Sequence, residues 1–334
     1  MEDVSESVPL IKDEAVPLKA KAKWWKTMLK ALVAGGILAY LLYKIPFASI
    51  WAAILEAKWQ LLVLSTFMTL LVHWTTADRL RRLLEVSGNK ITTWGIFEIN
   101  LSTLFYGLFL PGGNFTGIAI RFYRLSADKG DALATGVALF TDRVISTITL
   151  LLVGIVFWLG ARQEEGWYPL LIMLGALAAS IGVIFLFLVA EKIPLLRPLY
   201  GLAMRYGKGP ARKIHDALHK QAKLPVRTLV VVFSLSILTH LLGIVAYALI
   251  ARSLGIEVGL VAMGWIRSSI ILATMIPLTP SGIGLREGAS LLLLTSLGVT
   301  NETAMAFSLL IFGMTILLVG LVGGLFEARR VTKF

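Results

Sequence analysis

Thr279-Pro280-Ser281-Gly282-Ile283-Gly284-Leu285-Arg286-Glu287-Gly288 interrupts a stretch of chain that is otherwise apolar enough to lie in a bilayer. Pro277 and Pro280 lack the N–H that a helix interior requires, so a helix arriving here must stop. A helix that restarts beyond the break presents unpaired backbone N–H groups to whatever lies in front of it. Arg286 would cost ~2.5–3.5 kcal/mol at the centre of a lipid-facing helix, so its side chain is expected to face protein, water or ligand. Two readings follow. The stretch is either the tip of a broken hairpin that forms an anion site, or a kink in one helix held by a structural Arg286–Glu287 ion pair.

Composition decides the class. With 57% hydrophobic and 16% charged residues and a mean hydropathy of +0.80, the chain has more apolar surface than a soluble core of 334 residues could hide. Long, glycine-containing apolar runs separated by short polar loops indicate a helical bundle, whereas a barrel would show alternating ten-residue strands. The net charge of +12 falls in loops, as expected of the cytoplasmic side of a polytopic protein, and no nucleic-acid module accompanies it. The absence of cysteine excludes disulfides, thiol catalysis and cysteine-ligated metals.

Outward from the break, the chain is read as follows. Residues 1–23 form a disordered cytoplasmic tail, acidic at first and then lysine-rich. A first span follows from Trp24 to Tyr43, and a second from about Trp59 to Asp78, returning to a cytoplasmic loop with Arg79, Arg81, Arg82 and Lys90. Residues 94–124 form a re-entrant hairpin, broken at Pro111-Gly112-Gly113, because its second limb is too short to span. Asp131 to Leu159 crosses outward and carries Asp142-Arg143; residues 168–190 cross back. The loop 191–227, with nine lysines and arginines against two acids, is cytoplasmic. It is either an amphipathic surface helix around residues 211–221 or a solvated basic loop. Residues 228–251 cross outward, 258–297 form a second broken hairpin, and Ala304 to Phe326 returns to the tail 329–334.

The expected fold is therefore all-α: six full spans and two re-entrant hairpins. The first membrane repeat covers residues 24–160 and the second covers 161–328. Each contains two spans, a broken hairpin and one more span, and three crossings per half place the second upside down. Paired interrupted segments in an inverted repeat are the best sequence pointer to a transport site. Here the pair is Phe109 to Arg121 and Pro277 to Glu287.

The run Pro280-Ser281-Gly282-Ile283-Gly284-Leu285-Arg286-Glu287 resembles the glycine-rich P-G-G-[IL]-G-x-R-E signature of the lysylphosphatidylglycerol synthase transmembrane family, flippase-like membrane proteins. Leu110-Pro111-Gly112-Gly113 with Arg121 is similar to that family's first P-G motif. Asp142-Arg143 is similar to its acidic-arginine pair, and Asp78-Arg79 with Leu83-Leu84 to its R-x-x-x-L-L pattern. The resemblance covers residues 28–328. It departs at Ser281, which replaces the first motif glycine, and at Gly117-Ile118, where an acidic residue is often found. It implies movement of an anionic phospholipid, or of a polyprenyl-phosphate-type lipid or lipid-linked sugar, between leaflets of the cytoplasmic membrane. The chain stops at Phe334, so the resemblance implies a stand-alone member with no room for the synthase domain.

Two functions of different class remain. In the first, a transporter, the half-helix starts after Pro111 and Pro280 hold phosphate. Gly112, Gly113, Ser281, Gly282 and Gly284 shape the breaks and Arg121 and Arg286 supply charge. Glu287 and Asp142 pair with those arginines or take a coupling proton, and Arg143 faces the bundle interior beside Asp142. In the second, the protein is a membrane enzyme, or a scaffold for a lipid-modifying enzyme partner. No Ser-His, H-E-x-x-H or paired-aspartate arrangement occurs, so neither a catalytic residue, a metal nor a cofactor is expected. His73 and His240 are isolated on apolar helices, and Gly320 with Gly324 reads as close packing within the bundle.

This topology places both termini in the cytoplasm. Cysteines introduced at Gln163 and at Lys208 of the cysteine-free chain should label with an impermeant thiol reagent from opposite sides of the membrane. Labelling of both from one side would contradict the crossing count.

Overall fold

The computed structural model describes residues 45–86, 88–110, 114–127, 132–161, 166–189, 224–276, 278–279 and 282–331. Every regular element among them is helical: α1 Phe47–Glu56, α2 Trp59–Val86, α3 Thr93–Phe109, α4 Asn114–Ala127, α5 Ala132–Gly160, α6 Tyr168–Val189, α7 Val226–Ser253, α8 Leu260–Met275, α9 Leu285–Thr295, α10 Asn301–Ile311 and α11 Leu318–Val331. A π-helical turn, Phe312–Leu317, joins the last two. Four helices among the described residues are long and apolar enough to cross a membrane: α2, α5, α7 and the continuous Asn301–Arg330 rod. The expected first span, Trp24 to Tyr43, and most of the loop 191–227 lie outside the described residues.

The limbs of the two interrupted segments form where the sequence places them. Thr92 caps α3 by accepting the Gly95 N–H at 3.1 Å, and α3 ends before Leu110, whose backbone is extended. At 17 and 16 residues, α3 and α8 are roughly 25 Å long at 1.5 Å per residue, short of the ~30 Å hydrocarbon. Two details lie outside the expectation. Residues 47–56, which the sequence reading left between the first two spans, form a helix, α1, packed on α10 through Ile50, Met305 and Ala306. Helix α2 runs eight residues past Asp78 to Val86, so Arg79, Arg81 and Arg82 are helical, and Arg79 is buried.

Helices α2 and α7 form the central pair. Around them α3 packs on α11 and α8 on α5; α3 packs on α4 and α8 on α9; α4 lies against α5 and α9 against α10. Leu80, Leu83, Leu84, Ile96, Leu101 and Leu125 fill one core, and Trp158, Met173, Tyr247, Trp265 and Phe307 a second. In hydrocarbon, helix association depends on close packing through small residues. A Cβ on Gly323 of α11 would run into the Leu101 carbonyl of α3, and one on Gly324 would meet the Phe105 ring at 2.7 Å. The α5–α8 contact is built the same way: Gly154 faces Ser268, and Gly264 faces the Phe157 ring. Gly320 likewise meets Leu108 of α3, so this glycine stripe serves packing inside the bundle.

Gly323→Ala should therefore separate α3 from α11 and lower stability by ~1–3 kcal/mol, the usual cost of overpacking. Gly175→Ala, with open space around the added methyl, should be neutral or stabilising. Thermal unfolding in lipid nanodiscs distinguishes the two, and equal melting temperatures would contradict the packing role.

Candidate functional site

The break before α9 depends on two glycines in the left-handed region, Gly282 at φ +72° and Gly284 at φ +86°, where a side chain is strained. Space also requires glycine at the first, since a Cβ on Gly282 would meet Thr274 at 2.9 Å. Glu287 closes the start of α9: its Oε2 accepts the Gly284 N–H at 2.6 Å, and its Oε1 accepts the Ser308 hydroxyl at 3.4 Å. Arg286 is tied to Glu287 by one long contact, Nε to Oε1 at 3.3 Å. Its guanidinium carbon lies 5.0 Å from the Phe312 ring centroid in the π turn. Its Nη2 is enclosed and makes no hydrogen bond. Arg286 and Glu287 are each 3% exposed. The carboxylate's shortest bond goes to backbone, so most of the arginine fork is left for something else.

A second group of charges surrounds Asp142 on α5. Its Oδ1 accepts the Nε–H of Arg79 at 2.7 Å. The Arg79 Nη1 donates to Ser236 Oγ on α7 at 2.7 Å, and Ser236 is 2.6 Å from Thr149 Oγ1. The sequence left Asp142 either pairing with Arg121 or Arg286 or taking a coupling proton; the structure pairs it with Arg79. Arg121, on α4, feels Asp142, Arg79 and Arg143 and acts on His73. Its own Nε and Nη2 are enclosed without a hydrogen-bond partner. Arg143 is exposed, against the expectation that it faces inward with Asp142. Adjacent helical residues point about 100° apart, and only Asp142 is on the side that meets α2 and α7.

Two features escaped the sequence reading. Arg267 on α8 is buried at 6% exposure. Its guanidinium lies against Gly243 and 5.4 Å from the Tyr247 ring centroid of α7. The signal was available: a lone arginine inside the apolar run Val258 to Ile276. The other feature is a stripe on α7, Ser236, His240, Gly243 and Tyr247, spaced i, i+4, i+7 and i+11 on one face. It extends roughly 16 Å at 1.5 Å per residue. Ser236 touches Arg79, the His240 Nε2 is 2.9 Å from the Ser146 carbonyl oxygen, and Gly243 and Tyr247 hold Arg267. His240 feels both Arg267 and Arg79, and Tyr247 feels Arg267, Arg286 and Glu287.

The structure thus assembles the residues into two groups along α7. One holds Arg79, Arg121 and Asp142; the other holds Arg267, Arg286 and Glu287. Each has one more cation than anion. Pro111, Gly112, Gly113, Pro280 and Ser281 lie outside the described residues. Replacing Asp142 with Asn leaves Arg79 buried without its counter-charge, which should cost ~3–5 kcal/mol of stability. Arg79→Met combined with Asp142→Leu removes both charges and should recover much of that loss. Melting temperatures of the single and double variants test the pair; a double variant as unstable as Asp142→Asn would contradict it.

No curated protein matches the chain significantly. The profile of the lysylphosphatidylglycerol synthase TM region family matches residues 27–323, a range that includes both charge groups and both interrupted segments. This all-helical integral membrane protein belongs to that family.

Proposed function

We propose that the protein moves an anionic lipid, or a lipid-linked sugar or phosphate headgroup, from one leaflet to the other without covalent chemistry. The observation that carries this reading is the surplus cation in each group: half-buried Arg121, with two enclosed and unpartnered nitrogens, in one, and a buried arginine beyond Glu287 in the other. A guanidinium does not deprotonate in a protein, and an intramembrane charge with no counter-charge marks a functional site by default. An anionic headgroup supplies the missing charge. Arg286 and Arg121 lie on the short limbs after the two breaks, and the α7 stripe offers polar groups between them. A scaffold for an enzyme partner would have no use for these charges.

The transport reading includes an inverted repeat of six spans and two re-entrant hairpins, with both termini cytoplasmic. The packing pattern supports the repeat. Exchanging α2 with α7, α3 with α8, α4 with α9 and α5 with the α10–α11 rod turns each main contact among these helices into another that is present. Loop lysines and arginines support the orientation. In such transporters a site near mid-membrane is exposed first to one side and then to the other by rocking of one repeat against its mate. The π turn beside Arg286 suits that motion, since π bulges interrupt the regular ladder and recur at functional sites.

Arg286 is the principal headgroup contact in this account. Arginine meets two phosphate oxygens with a planar fork, whereas lysine is a point charge that burial can neutralise. Arg286→Lys and Arg286→Gln should each reduce flux of a fluorescent phosphatidylglycerol in reconstituted vesicles by ~10-fold or more, the loss expected from charge-assisted hydrogen bonds of ~1.5–3 kcal/mol. Arg286→Gln combined with Glu287→Gln should be as inactive as Arg286→Gln alone. Glutamine at 287 keeps an acceptor for Gly284, so the double variant is expected to insert and fold. Recovery of flux in the double variant would reduce Arg286 to an ion-pair partner.

A further inference from the structure

Arg267 has the features of a ligand site and none of the features of a structural ion pair. It stands on α8 among Trp265, Ile266 and Ile270, all buried. No carboxylate among the described residues pairs with it. Its Nε and Nη1 are enclosed and make no hydrogen bond. Its seat is shaped: the guanidinium rests where a Cβ on Gly243 would be, with the Tyr247 ring on another side. The ring attracts the guanidinium without satisfying its N–H groups, so donors remain for an oxyanion. Tyr247 itself is fixed by the Phe307 ring, edge-on at 6.0 Å. Arg286 also acts on Tyr247 and keeps its own enclosed, unpartnered Nη2.

We infer that Arg267, seated on Gly243 and Tyr247, binds a phosphate group, with Arg286 as the neighbouring cation. The inference rests on the reading of the protein as a carrier of anionic headgroups and extends it to a residue outside the two glycine-rich breaks. A phosphoryl group matches the chemistry because its oxygens accept the paired donors of one guanidinium and retain charge for a second. The phosphate belongs either to a lipid headgroup or to a free ion. Both carry the same group to the same donors.

The test uses the full chain in phosphatidylcholine nanodiscs, first without phosphate, then with inorganic phosphate, and separately with phosphatidylglycerol mixed into the disc. In the wild type at least one of the two probes should raise the melting temperature. Phosphatidylglycerol alone identifies a lipid source, and inorganic phosphate a free one. Arg267→Gln should weaken apparent affinity at least tenfold. Its melting temperature without either probe should be unchanged or higher, because an unpaired buried charge has been removed. Gly243→Ala keeps the charge but fills the seat, and it should weaken binding in the same direction if Arg267→Gln fails to fold. Wild-type affinity in both variants would overturn the site, as would a wild type that responds to neither probe. So would a probe-free melting temperature in Arg267→Gln that falls as far as the probe-bound one, the mark of a structural arginine. Phosphatidylglycerol flux measured in parallel separates the two readings: binding at Arg267 without flux defeats transport alone, and flux with wild-type binding in Arg267→Gln defeats this site alone.

Discussion

A charge sealed inside a helical bundle must find a counter-charge, and that constraint organises this molecule. The idealised cost of moving an ion from water to a medium like dry protein is of order 20 kcal/mol, and several kcal/mol persist after relaxation. Asp142 and Arg79 meet the constraint within the protein, and Ser236 and Thr149 continue the network into α7. Arg121, Arg267 and Arg286 meet it incompletely. Against a stability of ~5–15 kcal/mol for a folded domain, a surplus cation in each of two groups is a burden that packing alone does not explain. On the proposed function, a ligand of opposite charge relieves it.

The backbone puts those cations where they are. Arg121 and Arg286 stand on short helices of 14 and 11 residues that begin after the proline- and glycine-rich breaks. Glycines at the α3–α11 and α5–α8 contacts bring those helices into close contact. Another glycine, Gly243, yields its side-chain volume to Arg267. Close packing elsewhere and an open seat here use the same missing Cβ. The π turn at Phe312 then presents a ring to Arg286 at the point where the last membrane rod is least regular.

The local breaks were legible in the sequence, because proline and glycine act through the backbone and need no partner. That logic anticipated that α3 and α8 end near Leu110 and Ile276 and that new helices, α4 and α9, begin beyond the breaks. It failed where the answer lay across the chain. Arg79, Arg81 and Arg82 resemble a basic loop, but α2 continues through them, and helix rotation separates the buried Arg79 from Arg81 and Arg82, which pair with Asp78. The partner of Asp142 lies 63 residues away, at a spacing no local pattern encodes. The α7 stripe went unseen because serine, glycine and tyrosine barely lower the hydropathy of the span that carries them.

Charge selectivity of transbilayer movement tests the central claim most directly. Purified wild-type protein is reconstituted into vesicles carrying a trace of short-chain fluorescent lipid, and the inner-leaflet pool is followed by access to an impermeant quencher. A path lined by surplus buried arginines predicts that fluorescent phosphatidylglycerol exchanges faster than fluorescent phosphatidylcholine, and faster than in protein-free vesicles. Equal rates for the two lipids, or no acceleration of the anionic one by the protein, would contradict it.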